Sequence, residues 1–108
     1  MSASQQRKGR AGELELVKVL QLHGIPARPG DPVSYGMTPD VVGVPGIHVE
    51  CKRVERLNID TAMDQAVGDA DRFHDGLPAV FHRRNRRPWL VTMKLDDWLR
   101  IYRSRKDL

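Results

Sequence analysis

The run Ile47-His48-Val49-Glu50-Cys51-Lys52, entered through Pro45-Gly46, alternates without a break between apolar and polar side chains. A period of two belongs to a β-strand whose faces meet different surroundings, and it is incompatible with a helix. His48, Glu50 and Lys52 share one face; Ile47, Val49 and Cys51 share the other and read as core. Just upstream, Asp40-Val41-Val42-Gly43-Val44 is a β-branched run, so the pair predicts a β-hairpin or near-hairpin turning at Pro45-Gly46.

The other elements follow from their stop signals. The stretch from about Arg10 to His23 predicts a helix ended by Gly24 and Pro26. Residues 25–38 carry three prolines and two glycines, which predicts a loop with a short extended piece near Ala27-Arg28. Asn58 is the expected N-cap of a second helix running to Phe73 or His74. Leu77–His82 and Trp89–Met93 read as strands joined by an arginine-rich turn, and a last helix starts at Leu95 or Asp96. The order is αβββαββα, an α/β (α+β) chain with a mixed sheet flanked by helices.

A chain of 108 residues supports one modest core. Residues 1–8 read as a flexible basic arm and 9–108 as a single domain. No apolar run approaches the roughly 20 residues that span a bilayer. The N-terminus lacks the apolar stretch of a signal peptide. A single cysteine can form neither an internal disulfide nor a Cys-rich zinc site. An intracellular, cytoplasmic protein is expected.

The net charge of +4 is spread over separate clusters: Arg7-Lys8-Gly9-Arg10, Lys52-Arg53 with Arg56, Arg83-Arg84-Asn85-Arg86-Arg87, and Arg100 to Lys106. Any one would suit a solvated surface, but so many on a small body point to nucleic acid. Arg83, Arg84, Arg86 and Arg87 in one turn repel one another, and DNA phosphates would relieve that repulsion. Arg10 and Arg53 are further candidates. Trp89 and Trp98 read as core or interface residues.

Three acidic residues stand out. On the wheel of the first helix, Glu13 lies among Leu16, Val17 and Leu20, whereas Glu15 points away toward solvent with Lys18. A carboxylate on a core-facing stripe is costly unless something receives it. The hairpin can bring Asp40 beside Glu50, and carboxylates gathered in this way call for a positive partner. A hard divalent cation bound by oxygen atoms would serve. Histidines 23, 48, 74 and 82 lack metal-binding spacing, and His48 reads as a partly exposed strand residue.

Lys8-Gly9 followed by Glu13, then Pro39-Asp40, then Glu50-Cys51-Lys52 resembles the PD-(D/E)xK nuclease superfamily, most closely its archaeal-type and phage Holliday junction resolvases. The resemblance spans about residues 7–100. It implies a restriction-endonuclease-like core and Mg²⁺-dependent hydrolysis of DNA, with Mn²⁺ as a substitute. Asp40, Glu50 and the Cys51 carbonyl are similar to that family's metal ligands, and Glu13 to its additional acidic residue. Lys52 resembles the catalytic lysine, and Gln65 an accessory polar residue near it. Lys8 and Arg28 resemble phosphate contacts. A homodimer acting on branched or four-way-junction DNA is implied, in the nucleoid or a phage-infected cell. A flap, nick or restriction nuclease of the same superfamily, or a non-catalytic DNA-binding module, are the alternatives.

Overall fold

The computed structural model describes residues 3–31 and 38–105, with side chains from residue 9 onward. Eight elements follow in the order α1 (Ala3–Leu22), β1 (Arg28–Pro29), β2 (Val41–Val42), β3 (Ile47–Arg53), α2 (Ile59–Phe73), β4 (Leu77–Arg83), β5 (Leu90–Met93) and α3 (Leu95–Arg103). The strands form one sheet in the spatial order β1-β2-β3-β4-β5. β3 and β4 run parallel over seven residue pairs, from Ile47↔Leu77 to Arg53↔Arg83, and the other pairings are antiparallel. A parallel pair needs a crossover, and α2 supplies it. The expected order and the mixed sheet are both present.

Alternation along β3 decides which helix covers which face. Leu16 and Val17 of α1 pack with Val41 and Val49, joined by Ile47, Cys51, Phe81 and Trp89. On the opposite face, Ala62 and Ala66 of α2 pack against Val80 of β4. Val80 is the register partner of Glu50, so the Glu50 side chain projects on the α2 side. Ala62, Ala66 and Ala70 recur every fourth residue, and their small side chains let α2 approach the sheet closely.

Three local expectations change. α1 already begins at Ala3, so residues 3–8 are helical in backbone and not a separate arm, while residues 1 and 2 lie outside the described residues. β2 holds only Val41 and Val42, because Gly43 turns to φ 82° where its backbone meets Pro26. Asp40 therefore precedes the strand and does not begin it. β4 extends one residue further than expected, through Arg83. Among the described residues no helix is long and apolar enough to cross a membrane.

Candidate active site at the β2–β3 divergence

Val41↔Val49 is the only register pair between β2 and β3, so the two strands part immediately beyond it. Asp40 is fixed there by its backbone: its carbonyl accepts from the Gly30 N–H at 2.8 Å, tying β1 to β2. Asp40 and Glu50 line one cleft, together with Thr38, Pro39, His48, Asp69, Arg72 and Phe73. Backbone polarity of β3 also alternates. The Gly46 carbonyl accepts from Leu77 on the β4 side, whereas the Ile47 N–H donates to Val44 on the β2 side. By that alternation the Cys51 carbonyl turns toward β2, past the point where β2 has stopped pairing.

Glu13 belongs to α1, which covers the Cys51 face of the sheet, and it does not line the cleft, although the charges of Asp40 and Glu50 reach it. Its side chain is 15% exposed and accepts from Arg10 Nη1 at 3.4 Å. Burial, then the nearby Asp40 charge, pushes its carboxyl up to about 7, although Arg10 opposes them and Glu50 adds to the rise. Asp40 is exposed, yet surrounding protein desolvates its carboxylate and raises it, with Lys52 pulling the other way. Burial likewise raises Glu50, against the His48 hydrogen bond and the Lys52 charge, with Asp69 and Asp40 adding to the rise. The Asp40 and Glu50 charges reach Glu13, and the Lys52 charge reaches Asp40 and Glu50, whereas the cleft itself is lined by neither Glu13 nor Lys52. Cys51 packs against the α1-side core, and burial, reinforced by Glu13 and Asp40, pushes its thiol up to about 12. Its sulfur is inert as a nucleophile at neutral pH.

His48 is not the partly exposed residue that was expected. It is 1% exposed, with Nδ1 at 2.9 Å from both carboxylate oxygens of Asp75 and Nε2 at 3.4 Å from Glu50 Oε1. Burial alone would lower its pKa, but the bonds to Glu50 and Asp75 win and raise it. Phe73 stacks near its ring. Asp69 of α2 completes a group in which one ligand atom each from His48, Glu50 and Asp69 lies within 4.8 Å of the others. Neither Asp69 nor Asp75 was singled out in the sequence. Asp69 had a visible signal, three residues after Ala66 and seven after Ala62 on the sheet-facing side of α2. Asp75 had none, since only the crossover brings it to His48.

The basic candidates divide into two sets. Glu15, its side chain 34% exposed, is engaged as well as solvent-facing: it accepts from Arg83 Nη1 and, at 3.4 Å, from Arg53 Nε. Those bonds overcome burial and hold its carboxyl below the usual range. Arg53 and Arg83 are thus bound to a carboxylate, and Arg10 to Glu13 and the Gly30 carbonyl. Arg28, Arg84, Arg86 and Arg87 are exposed. The arginine turn is ordered by the Arg87 N–H on the Arg84 carbonyl and by Glu55, which accepts from the Asn85 N–H. Gln65 is exposed on α2. The Lys8 side chain lies outside the described residues. Trp89 belongs to the core cluster, while Trp98 is 45% exposed.

The donor set around Asp40 and Glu50 suits a hard cation: carboxylate oxygens, an outward carbonyl, and crowded negative charge with raised proton affinity. No protein-family model, curated protein or solved structure matches the chain.

Proposed function

We propose that this chain is a metal-dependent DNA endonuclease that hydrolyses phosphodiester bonds, with branched or four-way-junction DNA as its substrate. One observation carries the reading. Asp40 and Glu50 line a common cleft where β2 leaves β3, with the Lys52 charge opposing the rise of both carboxyls and their own charges raising Glu13.

Asp40, Glu50 and the Cys51 carbonyl would hold Mg²⁺, or Mn²⁺ in its place. When bound, such an ion polarises the scissile phosphate and acidifies a coordinated water. Lys52 supplies fixed positive charge where negative charge grows on the phosphate. Glu13, its carboxyl near neutrality, can accept a proton from water at physiological pH, and Arg10 holds it in place. His48, clamped by Asp75, fixes the orientation of Glu50. The exposed Arg28, Arg84, Arg86 and Arg87 would meet the sugar–phosphate backbone, and Lys8 and Arg10 are further proposed phosphate contacts.

The test compares cleavage of a four-way junction and a linear duplex of the same sequence, in Mg²⁺ and in EDTA. The wild-type chain should cut the junction only with metal. Asp40→Asn, Glu50→Gln and Lys52→Ala should each slow cutting by about 10²-fold or more while DNA binding persists. Undiminished cutting by Asp40→Asn and Glu50→Gln overturns the nuclease reading. Equal rates on both substrates remove the junction preference alone.

A further inference from the structure

The two ring nitrogens of His48 keep unlike company. Nδ1 lies 2.9 Å from both Asp75 oxygens, the length of a charge-assisted hydrogen bond, so this nitrogen carries the proton and donates it. Nε2 then faces Glu50 Oε1 at 3.4 Å, too far apart for a bond of that kind. Both side chains are more than nine-tenths buried. Two acceptors facing each other inside the protein need something positive between them. A proton shared by the pair would draw them to about 2.7–2.9 Å and would serve no other group. Yet a third acceptor is present: an oxygen of Asp69 lies within 4.8 Å of the ligand atoms of both His48 and Glu50.

The fold assembles this group from separate segments. His48 and Glu50 stand two residues apart on the α2 face of β3. Ala62 and Ala66 seat α2 against that face, and Asp69, three residues past Ala66, arrives over it. Asp75 enters from the chain leading into β4. The Asp69 charge raises the carboxyls of both Asp40 and Glu50, although Arg72 lines the same cleft. An imidazole that gives one N–H to a carboxylate and turns its other nitrogen toward acidic oxygens has the arrangement of a metal ligand. Nitrogen in the donor set favours a first-row transition ion over Mg²⁺. We propose that His48 Nε2, Glu50 and Asp69 bind a divalent first-row transition metal, with Asp75 as the positioning residue that holds the imidazole. The nuclease resemblance gives His48, Asp69 and Asp75 no role. Glu50 belongs both to this group and to the oxygen donors around Asp40, and the nitrogen tells the two apart.

Mn²⁺ is the probe, added to the full chain in excess Mg²⁺ so that the all-oxygen donors around Asp40 are already filled. Electron spin-echo modulation of the bound Mn²⁺ should show nitrogen coupling from one imidazole. Zn²⁺ should displace that Mn²⁺, whereas further Mg²⁺ should not. His48→Gln should abolish the coupling. Asp69→Ala, at a half-buried helical position that Ala suits, should do the same with helical circular dichroism unchanged. Asp75→Asn should keep the coupling and raise the Mn²⁺ Kd about 10- to 100-fold, and an unchanged Kd there overturns the role of Asp75. Binding through oxygen alone, no Mn²⁺ bound in excess Mg²⁺, or coupling undiminished in Asp69→Ala, which retains His23, His74 and His82, overturns the site. No arm involves DNA, so the outcome is independent of whether the chain cuts it.

Discussion

Glu13 is the residue whose protonation most exposes the electrostatics of the cleft. Its carboxyl ordinarily titrates near 4.5 and here near 7. Between those values the folded chain holds a proton that the unfolded chain has released, so stability falls as pH rises from about 4.5 to about 7. Asp40 and Glu50 are raised too and act in the same direction. His48, also raised, contributes stability that is lost as pH climbs through its folded value. Glu15 is lowered and acts oppositely, losing its contribution only in acid. In EDTA, the melting temperature should therefore drop from pH 5 to pH 7.5, and Glu13→Gln should flatten part of that drop. A profile identical to wild type would show that Glu13 does not share the cleft's charge. The unusual placement of Glu13 was legible from its neighbours Leu16, Val17 and Leu20. The burial of His48 was not, because a period of two assigns a face without saying whether a helix will cover it.

At the level of elements, capping and turn chemistry explain why the outline could be read. Asn58 is the N-cap of α2, its side chain accepting from the Thr61 N–H at 3.1 Å, and His74 closes that helix in the left-handed conformation. Both signals are local, as is the alternation of β3. β2 was overestimated because β-branched residues favour strands wherever they stand, whereas its length is set by Gly43 passing against Pro26. The crossover is held at another glycine. Gly76 has φ 131°, and a Cβ there would lie 2.4 Å from the Gly46 carbonyl carbon, where Leu77 hydrogen-bonds to start β4. Gly76→Ala should cost about 2–4 kcal/mol, combining backbone strain with lost register at the β3–β4 junction. Urea denaturation measures it, and a loss below about 0.5 kcal/mol, the range of a neutral surface change, would contradict this account.

For the molecule as a whole, the +4 charge matters less than which guanidinium groups are paired with acids among the described residues. Arg84, Arg86 and Arg87 project from the β4–β5 turn, whereas Arg53 and Arg83 share Glu15 across α1, β3 and β4. Replacing the first three with Ala should reduce the slope of log K against log salt for duplex DNA by about 3, in fluorescence anisotropy. An unchanged slope would remove the turn from the binding surface. Sequence order could not separate Arg83 from Arg84, Arg86 and Arg87, since all four belong to one basic run and the acid that engages Arg83 sits on a helix far upstream.

The grip of Glu15 on two guanidiniums has a thermodynamic corollary. An incoming phosphate at Arg53 or Arg83 must displace a resident anion, so the step is ion exchange and yields only the difference between two similar attractions. The same carboxylate pins α1 to the central strands before any ligand arrives. Stiffness is thus provided in advance at this corner, and most of the net Coulomb gain falls to the turn beside it.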